Sequence, residues 1–376
     1  MRMFNTIYGM LRQPSCNSTK AALACAIAGN RVLHVLRRAG ECLAFSLPII
    51  LVSCSSDSPS DTSERMVSMP IVLAIPASDA GLTAGVTDAK ATRAEGDPGT
   101  YEAFQLPTRL YIYLINNPIN GTATTVLFPE GMDRAEGYPL VADKWVKTTT
   151  QDNNKDSIYT YTDQIRIIIP ENRSAGSVYA AMSTVPIKVD YTGTDVANAT
   201  FTLGADAKGK ESDALKNLYS SPYNLMKDNQ YYGTVGDYRS NSPHINMVLY
   251  HVASKLDLQW NVDAGVQSSV KLSSITLTGL SSGGYLFKPL ENTTATSPYS
   301  ETFSLDDGSQ WYGRQATYVI PVKSTDGNYQ FPMTLTNGAK TPNTTTTATA
   351  TVKKPSNANT VYVPWMLGTV TVKNPW

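Results

Sequence analysis

The sequence predicts an all-β protein built from β-sandwiches and exported before it folds. Three observations carry this reading. Period-2 alternation of apolar and polar residues dominates the chain. Strand-length segments follow one another with little between them but turn residues. All four cysteines (Cys16, Cys25, Cys42 and Cys54) fall within the first 54 residues, and none of the other 322 is a cysteine. A long extracellular β-protein of this kind is held together by core packing alone.

Residues 31–54 read as an export signal. Arg37 and Arg38 form a positive start, and residues 42–52 are an apolar run of eleven. That run is short for a transmembrane helix, which needs about 20 residues, and suits a signal-peptide core. It ends in Leu51-Val52-Ser53-Cys54, an apolar–small–small–Cys order that resembles the bacterial lipobox, in which the peptide is cut before the cysteine and the cysteine is acylated. The expected organisation is a signal peptide over residues 1–53, with 1–30 as an upstream extension, then a polar tether over 54–65. Six of the 31 basic residues and one of the 31 acidic residues precede Cys54, so the exported part carries 25 and 30, a net charge of −5. That charge gives no basic patch for nucleic acid, and membrane contact is expected only through the lipid.

About 320 exported residues make two domains the default. The clearest strand spans residues 248–263. Val248, Tyr250, Val252, Leu256, Leu258, Trp260 and Val262 share one face, while His251, Lys255, Asp257, Gln259 and Asn261 occupy a polar one. Residues 110–115 and 165–169 are further strands. Residues 315–323 and 329–336 flank Asp326-Gly327, the signature of a hairpin. Asn120-Gly121, Asp307-Gly308 and Asn337-Gly338 mark turns. One short helix is expected, with Ser212 as its cap and Leu215, Leu218 and Tyr219 on one side. The polar stretch 228–243 sets the expected boundary between an N-terminal domain, 66–243, and a C-terminal domain, 244–376. The Thr-rich segment 341–351 reads as a linker or an edge strand.

Little in the chain suggests catalysis, and neither a cofactor nor a metal is expected. His244 and His251 are seven apart, which does not match a metal pair, and they read as solvated or structural. Ser282-Gly283-Gly284 lacks a phosphate-loop lysine and reads as a bend. Asp306-Asp307 is explained by a turn, since a calcium loop needs more oxygens at set spacing. The tyrosine clusters Tyr159/Tyr161 and Tyr231/Tyr232 read as half-buried strand residues or as a contact surface.

Residues 70–76 form an apolar segment (Ile71, Val72, Leu73, Ala74, Ile75) bracketed by Pro70 and Pro76. It precedes a small, polar stretch, 77–92, in which Lys90 is the only basic residue before Arg93. Such a stretch is good protease bait. Removing a core strand in front of the cut would expose backbone and apolar pockets that favour strand addition.

Four features together resemble the fimbrillin family, the lipoprotein-derived subunits of type V pili. These are the lipobox at Cys54, the Arg-containing stretch 91–99, the segment His251-Val252-Ala253-Ser254-Lys255-Leu256, and an apolar C-terminus ending in Trp376. The resemblance implies two tandem transthyretin-like β-sandwiches. It also implies cleavage between Arg93 and Ala94 by an Arg-specific protease, loss of the first strand, and its replacement by a strand from a neighbouring subunit. The expected donor is the segment 366–376, with Leu367, Val370 and Val372 as pocket-fillers and Trp376 as anchor. Leu367 and Val370 are three apart, so a shared face requires a bulge near Gly368. Pro364 and Pro375 each remove a ladder donor. The expected function is a structural pilus subunit serving adhesion, located at the outer membrane and in the extracellular fimbrium. Its expected partners are other pilin subunits, the protease and a host or bacterial surface ligand. The alternative is a tip adhesin or glycan-binding surface lipoprotein.

Overall fold

A computed structural model describes residues 64–76, 105–118, 124–149, 157–170, 173–174, 177–221, 244–353, 365–374 and 376. The expected signal peptide, Cys54, Arg93, Ala94, Asn120, Gly121, Tyr231, Tyr232, Pro364 and Pro375 lie outside these residues.

The described chain is all-β. Its first half contains β1 (Glu64–Pro76), β2 (Arg109–Pro118), β3 (Thr125–Leu127), β4 (Tyr138–Pro139), β5 (Trp145–Thr149), β6 (Ser157–Pro170), β7 (Arg173–Ser174) and β8 (Val178–Ser183). Then come β9 (Ile187–Asp190), β10 (Thr200–Leu203), the short helix α1 (Glu211–Lys216) and β11 (Tyr219–Ser220). After the polar stretch follow β12 (Ile245–Val248), β13 (Tyr250–His251), β14 (Ser254–Val262) and β15 (Leu272–Tyr285). The last five strands are β16 (Thr296–Ser304), β17 (Tyr312–Val319), β18 (Tyr329–Asn337), β19 (Thr344–Val352) and β20 (Trp365–Val372).

The strands form four sheets. One has the order β12-β1-β6-β5, and a second runs β13-β11-β8-β2-β3 with β4 and β7 also on β2. A third runs β19-β18-β15-β10-β9 with β16 on β15, and the fourth is β17-β14-β20. Residues 63–376 form one compact unit, in which buried apolar side chains gather into two clusters. The first draws on β1, β2, β6, β8 and β12. The second draws on β14, β15, β18, β19 and β20.

The segment 248–263 is not one half-buried strand. It is broken into the end of β12, then β13 and β14. Its supposed polar face is covered at His251, Lys255 and Asp257, which are buried, and opens only at Gln259, half-buried, and Asn261, exposed. Leu249, Val252 and Ala253 join the first cluster and Leu256 the second, so the segment passes from one core to the other and is packed on both sides.

The expected hairpin at Asp326-Gly327 also differs. Gly327 takes a positive φ of 82° in the turn, and Lys323 bridges Tyr329. The flanking strands nevertheless diverge: β17 pairs with β14, while β18 pairs with β15 and β19. A turn reverses the chain locally; pairing follows burial. Tyr318 and Ile320 join the first cluster and Val319 the second, so the end of β17 lies between the two cores, whereas Tyr329, Phe331, Met333 and Leu335 all join the second.

Ser212 does not cap its helix. It sits inside α1, whose N-cap is Lys210, and its hydroxyl accepts the Tyr318 amide (2.9 Å) and shares a hydrogen bond with the Thr317 hydroxyl (2.9 Å). The helix is thereby tied to β17. Residues 282–284 are not a loop bend either, because they lie within β15. Gly283 pairs with Thr202 of β10 and with Thr296 of β16. A Cβ on Gly283 would lie 2.2 Å from the Phe201 carbonyl oxygen, so only glycine lets the strands approach. Through this contact one sheet runs from β9 and β10, whose Ile187, Val189 and Phe201 belong to the first cluster, to β18 and β19 in the second. The Thr-rich segment is the edge strand of that sheet.

Candidate functional site

The strand expected to be displaced, β1, is an interior strand of its sheet. It pairs antiparallel with β6 along its whole length, from Glu64 opposite Pro170 to Pro76 opposite Ile158. On its other side it pairs parallel with β12, Ile71 to Ala74 opposite Ile245 to Val248, and the Leu249 amide extends this contact by donating to the Ala74 carbonyl (2.9 Å). Pro70 falls one residue before the parallel ladder begins, so its missing N–H interrupts no bond there.

Alternation explains what the strand does. Val67, Met69, Ile71, Leu73 and Ile75 are buried in the first cluster, while Met66, Ser68 and Pro70 face outward. Val72 and Ala74 are half-buried on that outer side. Five such side chains contribute about 7–15 kcal/mol of burial before entropy is charged. Residues 77–104 carry the chain from β1 to the next described strand, and Arg93 lies within them. β1 is therefore a core strand whose link to β2 runs through Arg93.

The wall beside β1 is polar at one point. Asp163 of β6 stands opposite Ile71. It accepts from the Lys144 ammonium, the Gln164 amide (2.7 Å) and the Tyr161 hydroxyl (2.8 Å). Burial pushes the Asp163 carboxyl up, but these donors outweigh it and hold the group below the usual carboxylate range. Tyr161 is buried, pushed up by desolvation, and packs on Trp145 with ring centres 5.2 Å apart.

The expected donor segment forms β20, which pairs parallel with β14 in continuous register from Lys255–Trp365 to Val262–Val372. With no bulge at Gly368, even and odd residues separate cleanly. Met366, Gly368, Val370 and Val372 are buried, whereas Leu367 is 39% exposed on the opposite face. Trp376 lies beyond the strand and packs on the second cluster. Its carbonyl accepts from the Lys340 ammonium and the Thr344 hydroxyl (3.5 Å). Among the described residues β20 is an edge strand, with β14 as its one ladder partner.

The remaining candidates are dispersed. His251 is buried against the Tyr219 ring, with centres 4.4 Å apart, and burial pushes its pKa down to about 3. Asp306 accepts from the Gly308 and Ser309 amides and the Ser309 hydroxyl, as a turn residue does. Among the described residues no group of three or more His, Cys, Asp or Glu side chains is placed to hold a metal ion. No helix among them is long and apolar enough to cross a membrane. Sequence reasoning missed β12 as the second partner of β1. Its alternating Ile245 and Met247, both buried, are a faint signal for it.

No family model and no curated protein matches the sequence. Solved structures that resemble the chain include a candidate adhesin from Bacteroides ovatus, 12% identical, with 85% of this chain and 99% of that one covered and a TM-score of 0.37. A fimbrial assembly protein from Parabacteroides distasonis is 9% identical, covers 81% of this chain and 91% of its own, and gives a TM-score of 0.32. The fimbrial anchor protein Mfa2 from Porphyromonas gingivalis is 9% identical, with coverage of 81% and 91% and a TM-score of 0.33.

Proposed function

We propose that this chain is a structural subunit of a surface fimbria, exported as a lipoprotein and joined to its neighbours by strand exchange. One observation carries the reading. The first described strand fills the middle of a sheet, yet a single cut in residues 77–104 would sever its covalent link to β2. Its loss would leave the edges of β6 and β12 unpaired beside an apolar groove, a strong template for strand addition.

In this reading Cys54 carries the lipid, an Arg-specific protease cuts between Arg93 and Ala94, and β20 of a neighbour fills the groove. β20 suits the task because it is amphipathic and, among the described residues, held by one ladder. Its burying face consists of Met366, Val370 and Val372, with Trp376 beyond; Leu367 lies on the opposite side. The role requires no catalytic residue, cofactor or nucleic acid, and places the protein at the outer membrane and in the extracellular fimbrium.

A second reading, a tip or anchor subunit that keeps both strands, is favoured by the burial of Met366, Val370 and Val372 in the chain's own second cluster. Limited digestion with an Arg-specific protease separates the two. A stalk subunit gains Ala94 as its new N-terminus, loses β1 and forms fibres visible by electron microscopy. A cut chain that retains β1 and stays monomeric supports the tip or anchor role.

A further inference from the structure

The outer face of the sheet β16-β15-β18-β19 carries hydroxyls in register across four strands. Ser304, Ser274, Thr336 and Thr345 form one row of directly paired residues. Thr302, Thr276, Thr334 and Thr347 form the next, and the Thr276 and Thr302 hydroxyls bond to each other (3.0 Å). Pro332 and Thr349 are paired beyond it, and the Pro332 carbonyl accepts the Thr278 hydroxyl (3.3 Å). Inward positions of the same strands (Ile275, Leu277, Met333 and Leu335) fill the second cluster, so the hydroxyl face is the outward one. On β19 the outward residues Thr345, Thr347, Thr349 and Thr351 are all exposed.

We propose that this face binds a neutral, hydroxyl-rich polysaccharide. Charge selects the ligand class. The outward positions of the four strands carry no Asp, Glu, Lys or Arg, although the exported chain is net negative. A polyanion gains no counter-charge here, and a basic partner gains none either. Each hydroxyl both donates and accepts, which matches a sugar hydroxyl. Threonine methyls and the exposed ring of Pro332 supply apolar patches for the C–H faces of pyranose rings.

Size argues in the same direction. Four strands at about 4.8 Å spacing and some nine residues long present roughly 500 Å2. A stable protein interface takes about 800 Å2 per partner, so the face is small for a protein and suits a weak contact. Repetition of such contacts along a filament would raise avidity without new chemistry.

The inference rests on the surface location proposed above, but not on strand exchange, and it is tested on the uncut, monomeric full-length chain. The probe is an array of neutral gluco-, manno- and galacto-oligosaccharides beside sialylated and sulfated ones. Neutral glycans should be retained in preference to the acidic ones. The double variant Thr334→Lys/Thr347→Lys should lose about tenfold or more in binding, while Thr334→Ser/Thr347→Ser stays near wild type. Thermal unfolding controls for folding; if the lysine pair lowers the melting point, Thr345→Lys/Thr349→Lys on the exposed edge strand replaces it. Retention of no neutral glycan, equal retention of acidic glycans, or undiminished binding by a folded lysine variant overturns the proposal.

Discussion

Ile71 and Ile245 face each other across a parallel ladder, one from the first described strand and the other from a strand that begins beyond the polar stretch 228–243. Both are fully buried in the first cluster. The first core is thus closed by strands from either side of that stretch: β1 enters between β6 and β12, and the chain after β12 leads into the second core. Whatever removes β1 strips the partner from β12 and leaves β6 paired only with β5.

Single truncations in β1 should therefore cost what deep-core truncations cost. Leu73→Ala or Ile71→Ala in the uncut chain should lower unfolding free energy by about 2–5 kcal/mol, read from urea denaturation. Met66→Ala, on the outward face of the same strand and 41% exposed, should change it by no more than about 0.5 kcal/mol. Equal losses at Met66 and Leu73 would contradict the observed register.

Gly283 couples the two cores. The Cβ of Gly283→Ala would press on the Phe201 carbonyl, which is backbone and cannot swing aside. A loss of about 1–3 kcal/mol is expected. Calorimetry should show the two cores melting less cooperatively than in the wild type. Gly265→Ala serves as the comparison, since its Cβ would meet only the Asp263 carboxylate, at 3.2 Å.

The parts legible in the sequence are those with a local signature. The alternation of Tyr329, Phe331, Met333 and Leu335 placed β18 and its inward face, and the apolar run Ile71 to Ile75 marked the core of β1. The rest depended on what packs where. β1 begins at Glu64, two residues inside the expected tether, and Val67 and Met69 extend its alternation ahead of the apolar run. The pairing of β1 with β12 has no local trace, since it joins segments far apart in sequence. His251, Lys255 and Asp257 read as a solvent face because alternation reports one covered side and is silent about a second. On β20, alternation alone separated Leu367 from Val370 and Val372, and continuous pairing with β14 supplied no bulge to reunite them.

Glu301 should give the fold a pH dependence with a defined sign. Burial is the main cause raising its pKa above the ordinary 4.5, with Asp213 and Glu211 adding to it and the Thr317 hydroxyl opposing it. The folded state therefore holds the proton to higher pH than the unfolded state does. The contribution is fully present below pH 4.5 and is lost as pH rises through the folded value. Glu301→Gln should match wild type in acid and exceed it at neutral pH, as measured by chemical denaturation across the range. A difference curve that grows toward acid would show the opposite sign and reject the assignment.

Processing should depend on one side chain. Arg93→Ala should accumulate as a precursor retaining β1, and Cys54→Ala should remain unlabelled by radioactive palmitate. Mature protein from cells that still begins at Cys54 would remove the basis for strand release.

The donor segment offers the most exposed test, because its two faces make opposite demands. Deleting residues 366–376 removes Met366, Val370 and Val372 from the second cluster, where they contribute about 4–8 kcal/mol before losses. The shortened chain should fold with lower stability and should not extend a fibre after processing. A synthetic peptide of residues 365–376, added to processed subunits that keep their own β20, should occupy the groove left by β1 and block growth. Its sequence decides whether the groove is read by the buried face. Val370→Asp in the peptide puts a charge among the contacts that Ile71 and Leu73 made, and should abolish the block. Leu367→Asp changes only the outward side and should leave it nearly intact. Should Leu367→Asp disable the peptide as thoroughly as Val370→Asp, the register seen in β20 is not the one used between subunits. Should neither peptide bind, the donor lies elsewhere in the chain and β20 belongs to its own core.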